Sequence, residues 1–207
     1  MARDRAANRK RPSTRTRILN AGLGMFAKKG FAGATTREIS ASAGVNEVTL
    51  FRYFGSKAEL YAAVIAERSL IADIRRDFSF DMNVPIGELV KDNASSVLSA
   101  LRANREVLMM LMGDAWRVSR ARSVISQTGA EEGVVIVKDL MEALIDAGKI
   151  RKVDSDIAAR ALVGMIQSYF LTHDLMTGKK PNQEEDDRML EGFVDVFLNG
   201  IRAGGSG

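Results

Sequence analysis

Residues 46–54 read NEVTLFRYF, and within about two helical turns they offer an amide, a carboxylate, a hydroxyl, a guanidinium and a phenol beside the apolar Val48 and Phe51. That mixture suits the edges and phosphates of a nucleic acid. Glu47 can accept a hydrogen bond from cytosine N4, Val48 and Phe51 can lie against a thymine methyl, and the nearby Arg37 can donate a bidentate pair to guanine O6 and N7. Lys57, at the start of a later helical pattern, adds charge to backbone N–H groups that already favour phosphate. For Arg37 and Glu47 the plain alternative is an ion pair within the helix or at the surface. A second group lies further on: Met109, Met110, Met112, Trp116, Met141, Met165, Tyr169, Phe170, His173 and Met176. Methionine fills irregular space and suits adaptable binding surfaces, so an apolar ligand pocket is expected there, with Trp116, Tyr169 and His173 supplying polar tips. For each of these residues the alternative is ordinary core packing.

No catalytic set accompanies them. The chain has no cysteine and a single histidine, which removes thiol chemistry, disulfides and Cys-rich zinc sites, and it contains no G-x-S-x-G, H-E-x-x-H or P-loop pattern. The string GLGMFA from Gly22 imitates part of a dinucleotide fingerprint, but it lies in an amphipathic helical pattern with no strand before it. The acidic run Glu184, Glu185, Asp186 and Asp187 sits at the positive end of a predicted helix, which accounts for it without a metal. The expectation is therefore a binding protein with no cofactor and no metal, and not an enzyme. The longest uncharged stretch, Ala161 to His173, is well short of the roughly 20 apolar residues that span a bilayer. Asn20 interrupts the run that might imitate a secretion signal, and Lys28 and Lys29 close it, so a cytoplasmic protein with no membrane partner is expected.

Charge divides the chain. Residues 1–60 hold twelve Lys or Arg against four Asp or Glu, whereas residues 61–207 hold eighteen against twenty-two. A basic head that meets a polyanion and a mildly acidic body with another task fit this division. The head begins with a basic arm over residues 1–12, whose Arg3, Arg5, Arg9, Lys10 and Arg11 either touch DNA or merely solubilise.

These side chains need helices to position them. Three prolines, no long β-branched alternation and apolar residues at three- and four-residue spacing predict an all-α chain. Ser13 or Thr14 can cap a first helix that buries Ile18, Leu19, Gly22, Leu23, Met25 and Phe26, and Lys28-Lys29-Gly30 stops it. Thr35 to Glu38 form a T-x-x-E capping box for a short second helix through Ala43. Gly44 and Val45 turn the chain, and Asn46 caps a third helix with Val45, Leu50 and Phe54 inward. Gly55-Ser56 then leads into a long fourth helix from Lys57 to about Phe78. Two short helices joined by a Gly turn, with a supporting helix before them, make a helix-turn-helix.

The segment TTREISASAGVNEVTLFRYFGSKAELYAAVI resembles the DNA-binding segment of the TetR family of bacterial transcription regulators, and the match extends over about residues 13–65. The resemblance implies that Thr36, Tyr53 and Lys57 contact phosphate and that Arg37, Glu47, Val48, Thr49 and Phe51 lie near bases, with Asn46 and Arg52 on the same outward face. Two departures stand out: Phe51 lacks the hydroxyl of the tyrosine common there, and Glu47 places an acid before a polyanion. The implied architecture is an N-terminal three-helix DNA-binding domain over 13–56, joined by the long helix to a helical ligand-binding and dimerisation domain over 57–203, with a flexible tail over 204–207.

In the body, helices are predicted near 85–103, 105–112, 114–127, 131–148, 154–177 and 184–202, with Asp154 and Asn182 as caps. The last two carry apolar stripes, and Ala161, Gly164, Phe193, Val196 and Phe197 are the expected contacts with a second copy in a four-helix bundle, the alternative being packing within the chain. The expected function is a ligand-responsive transcriptional regulator, a homodimeric repressor on palindromic double-stranded DNA, released by an unknown small apolar or amphipathic effector. The alternative is a DNA-binding accessory protein whose C-terminal half only dimerises or docks another protein.

Overall fold

The Ser13 hydroxyl opens the first helix by accepting from the Thr16 amide at 3.1 Å, which satisfies a donor that every helix start leaves unpaired. The computed structural model describes residues 12–67, 70–114 and 130–201. Its first helix, α1, spans Thr14–Gly33 and is broken at Gly30, whose φ of 68° and ψ of 172° leave the helical region. The predicted stop is therefore in place, and a last turn follows it. Helix α2, Thr36–Ala43, starts on the full capping box: Thr35 Oγ1 accepts from the Glu38 amide and the Glu38 carboxylate from the Thr35 amide, each at 3.2 Å. Lys29 reaches the same carboxylate at 2.6 Å and, with Thr35, lowers the Glu38 pKa to about 2. Gly44 then takes the left-handed conformation, φ 64° and ψ 40°, which an L side chain rarely adopts. Asn46 caps α3, Glu47–Phe54, and α4 follows over Lys57–Glu67.

The remaining helices are α5 (Leu70–Asp77), α6 (Ile86–Ala103), α7 (Arg105–Asp114), α8 (Ala130–Asp146), α9 (Ser155–Tyr169) and α10 (Gln183–Ile201). Every helix among the described residues belongs to one of these, save a π-helical turn over Phe170–Met176 that continues α9 directly. The predicted all-α class is what the chain adopts. Asp154 and Asn182 cap α9 and α10 as expected, at 3.0 Å from the amides of Asp156 and Glu184. The predicted single helix over 57–78 is described as α4 and α5, on either side of residues 68 and 69, and the predicted α-helix over 154–177 ends its α geometry at Tyr169. The predicted helix near 114–127, the arm over residues 1–11 and the tail from residue 202 lie outside the described residues.

Two compact units result. The first holds residues 12–67 and 109–114, the second residues 70–108 and 130–201. In the first, α1 packs on α2 and α4 through Ile18, Leu19, Leu23 and Phe26, while Leu50 of α3 and Leu60 of α4 are fully enclosed. Burial of each such side chain contributes roughly 1.5–3 kcal/mol. The second unit packs α6, α8, α9 and α10 around Leu89, Val97, Leu140, Leu144, Leu162 and Ile166.

Candidate nucleic-acid interface

Helix α3 owes its position to the turn before it and the core beneath it. The Arg17 guanidinium donates to the Gly44 carbonyl at 3.1 Å, holding the turn against α1, and Leu50 and Phe54 point inward while Val45 is half-buried. Arg15 lies 5.8 Å from the Phe54 ring centre. With that face fixed, the opposite one stands in solvent: Val48 is 77% exposed, Tyr53 46% and Phe51 42%. Arg52 is exposed among them, 5.9 Å over the Tyr53 ring, and Arg37 is exposed on α2. Three largely uncovered apolar or aromatic side chains between guanidinium groups, on an eight-residue helix, form a surface suited to a partner.

Other predicted contacts have partners inside the unit. Asn46 Oδ1 accepts from the Thr49 amide at 2.8 Å and from its hydroxyl at 2.7 Å, so both residues close the helix cap. Thr36 and Glu47, the first residues of α2 and α3, are joined by a hydrogen bond from the Thr36 hydroxyl to the Glu47 carboxylate. The alternative, an intrahelical or surface ion pair for Arg37 or Glu47, does not form: among the described residues neither has a charged partner within 4.0 Å. Lys57 is placed where the sequence did not lead. Its ammonium donates to the carbonyls of Phe31 at 2.8 Å and Ala34 at 3.0 Å and lies 4.6 Å from the Phe31 ring centre. Those carbonyls follow the break at Gly30, where the helical hydrogen-bond ladder no longer serves them. Two of the three ammonium protons are thereby used, and one remains for another acceptor.

The N-terminal segment over residues 18–64 matches the family model for bacterial regulatory proteins of the tetR family, and residues 97–200 match that of the AefR-like transcriptional repressor C-terminal domain. The chain belongs to the TetR family. It is 24% identical to an uncharacterized HTH-type transcriptional regulator, YvkB of Bacillus subtilis (strain 168), over 92% of this chain and 98% of that one. The solved structure of a TetR-family transcriptional regulator from Mesorhizobium loti superposes with a TM-score of 0.76 at 20% identity, covering 92% of this chain and 97% of the other. That of the flavonoid-responsive regulator FrrA superposes with a TM-score of 0.73 at 18% identity, covering 93% and 98%. These two likenesses show the fold. The TetR-family chain is thus a transcriptional regulator with a helix-turn-helix DNA-binding domain, and not an enzyme. No helix among the described residues is long and apolar enough to cross a membrane.

The residues expected to line a ligand pocket are scattered by environment. Met109 and Met112 are 44% and 50% exposed on α7, and Trp116 lies outside the described residues. In the second unit Met141, Tyr169, Phe170 and His173 are buried and Met165 is half-buried. None of them lines the groove of about 500 Å³ between α6 and α10, whose walls are Glu88, Lys91, Asp92, Glu191 and Asp195 over Val194 and Leu198, with Lys91 paired to Glu191 at 2.7 Å. Tyr169 and His173 belong instead to a buried ionic cluster. Arg102 forks to Asp174 (Nε–Oδ2 2.6 Å, Nη2–Oδ1 3.2 Å) and to Asp186 (Nη1–Oδ2 2.5 Å, Nη2–Oδ1 2.9 Å). The Tyr169 hydroxyl donates to Asp186 at 2.9 Å, and His173 Nδ1 is 2.8 Å from Asp174 while its Nε2 is 3.3 Å from Glu185. The rings of Tyr169 and His173 stack at 4.9 Å.

Each titration shift in the cluster has a local cause. Burial raises the Asp174 carboxyl, but Arg102 and His173 together hold it below its ordinary value, and Arg102 does the same for Asp186. Burial, aided by the Asp186 hydrogen bond, pushes the Tyr169 phenol up to about 12. Asp174 raises the His173 imidazole against the cost of burial, with Glu185 adding to it. Sequence reasoning missed Arg102, Asp174 and Asp186. A signal existed for the last: Asp186 shares the spacing of the buried Leu190, Val194 and Phe197 along α10.

Of the expected contacts with a second copy, Ala161, Gly164 and Val196 are exposed and Phe193 is half-buried. Phe197 is 5% exposed and faces the second unit's own core, so the apolar stripe of α10 splits between an inward and an outward row.

Proposed function

We propose that this regulator is a homodimeric repressor that binds a roughly palindromic operator through α3 and is released by a small apolar or amphipathic effector. The observation that carries the DNA reading is the exposed face of α3, with Val48, Phe51, Arg52 and Tyr53 uncovered and Arg37 beside them. On this reading Arg37, Glu47, Val48 and Phe51 meet base edges in the major groove, with Asn46 and Thr49 fixing the start of the helix. Arg52, Tyr53, the remaining Lys57 proton and the backbone amides that open α2 meet phosphates. Two copies place two such helices in successive grooves.

The dimer reading is supported by an outward row on two neighbouring helices: Ile157, Ala161 and Gly164 on α9, and Gly192 and Val196 on α10. Ile157 is 67% and Val196 65% exposed, and among the described residues a Cβ on Gly164 or Gly192 would meet nothing within 4 Å beyond its own stretch of helix, which leaves room for close helix approach. The repressor reading is supported by the AefR-like repressor domain match, and the effector reading by the name of FrrA, a flavonoid-responsive regulator. An effector releases DNA only by binding the DNA-incompetent state more tightly.

The test is selection of bound duplexes from a random pool, with and without a mixture of small apolar compounds. Enrichment of an inverted repeat, steep weakening with salt from counterion release, and loss of the enriched duplex on adding a compound that also raises the melting temperature are expected. An operator unaffected by every compound that stabilises the protein would refute the effector step.

A further inference from the structure

We propose that Glu47 is the specificity-determining acceptor of the recognition helix and that Thr36 is its positioning residue, through the bond that ties the first residue of α2 to the first residue of α3. The inference rests on the DNA-binding reading and goes further, to the base chemistry that the helix selects. A threonine hydroxyl has one proton. Thr36 gives it to Glu47, so the same hydroxyl has none left for a phosphate oxygen, and its free lone pairs face an anion unfavourably. Thr36 is thus occupied on the protein side. Any phosphate contact at this point falls to its backbone amide at the positive end of α2.

Glu47 is left as an acceptor with one of its roughly four acceptor positions filled by Thr36 and no cation within 4.0 Å among the described residues. It is half-buried, and its neighbour Val48 is 77% exposed, so the carboxylate lies at the base of the outward face. In the major groove the only donors on base edges are the amino groups of cytosine N4 and adenine N6, whereas guanine O6 and N7 and thymine O4 are acceptors. An anion held at this point accepts from one of those amino groups and repels a base edge that offers acceptors alone. It also weakens binding to DNA in general by facing phosphates. The fixed carboxylate therefore trades general affinity for selectivity at one position in each half-site.

The experiment selects duplexes from a random pool with the full-length wild type and the variants Glu47→Gln, Glu47→Ala, Thr36→Val and Thr36→Ser, each checked for native melting behaviour. Affinities are then measured on the wild-type operator and on operators changed at the one selected position. The wild type should demand cytosine or adenine there. Glu47→Ala should lose about tenfold of that discrimination while binding unrelated duplexes more tightly. Glu47→Gln keeps the shape of the side chain and should shift the preference toward adenine, whose N6 and N7 suit a carboxamide. Thr36→Val should blur the same position, and Thr36→Ser should restore it. If Thr36→Val weakens all duplexes alike with the base preference intact, Thr36 is a phosphate contact and the inference fails. It fails equally if both Glu47 variants keep the wild-type preference. A wild type that enriches no sequence overturns the DNA-binding reading itself, an outcome separate from either of these.

Discussion

Replacing Arg102 by methionine should destabilise the second unit substantially. The guanidinium serves two carboxylates at once, and the side chains of Asp174 and Asp186 are only 5% and 7% exposed, against 19% for Arg102. Breaking a buried ion pair by removing one partner costs about 3–5 kcal/mol, because the other charge stays buried and uncompensated. Here each carboxylate keeps one donor, His173 Nδ1 on Asp174 and the Tyr169 hydroxyl on Asp186, which points to the lower end, about 3 kcal/mol. At about 2–4 °C per kcal/mol for a chain of this size, the melting temperature should fall by roughly 6–12 °C. The sign of the pH dependence is a sharper check. In the wild type the two carboxyls are held low, so their stabilisation is present above the ordinary carboxylate pKa and is lost as pH falls through the folded values. Without Arg102 burial raises both, and the penalty is relieved as pH falls through those raised values. Urea unfolding followed by circular dichroism should therefore show the gap between wild type and Arg102→Met narrowing from pH 7 to pH 5. Adding Asp174→Asn and Asp186→Asn should recover part of the loss. A cost under about 1 kcal/mol at pH 7, or a gap that widens on acidification, would refute the account of the cluster as an ionic clamp.

Three further outcomes are expected. Lys57→Met removes two charge-assisted bonds to the carbonyls after Gly30, so it should lower stability by about 2 kcal/mol in urea unfolding of DNA-free protein, where a pure phosphate contact would leave stability untouched. His173 has its folded pKa raised by Asp174 and Glu185, so its contribution is complete below the ordinary imidazole value and disappears as pH rises through the folded one. The denaturation midpoint of the wild type relative to His173→Gln should accordingly fall as pH rises above the ordinary imidazole value of about 6.5, and parallel curves would show that the imidazole titrates identically in both states. Val196→Asp places a carboxylate in the outward row of α9 and α10 and should yield monomers in sedimentation at unchanged helicity, whereas a dimer surviving the change would locate the interface elsewhere.

The DNA-binding end was legible because its signals are local. A capping box, a left-handed glycine and an asparagine cap act over three or four residues, and Thr35, Gly44 and Asn46 all perform the parts their types suggest. The inward positions of α3 followed from helical spacing for the same reason. Lys57 and Thr36 were less legible, since their partners lie 26, 23 and 11 residues away in sequence and depend on how α4 packs on the end of α1 and how α2 meets α3. A cation at a helix start suggests an anion, and only the break at Gly30 shows that two orphan carbonyls claim it first.

The body illustrates the harder case, in which one residue type serves two local explanations. Glu184 to Asp187 form a run at the start of α10, and the helix dipole accounts for an acidic first turn whichever of its members is considered. Yet Asp186 alone is buried, because it heads the row that continues through Leu190, Val194 and Phe197. An acid in such a row needs a cation from elsewhere, as a buried carboxylate is too costly unpaired. Arg102 supplies it from α6 across 84 residues. The same cation then holds Asp174, which the π-helical turn brings inward beside His173. The Met and aromatic content drew attention to Tyr169 and His173 as apolar bulk with polar tips. The Tyr169 hydroxyl and the His173 Nδ1 meet the two carboxylates that Arg102 gathers, so charge pairing accounts for a phenol and an imidazole in that part of the core.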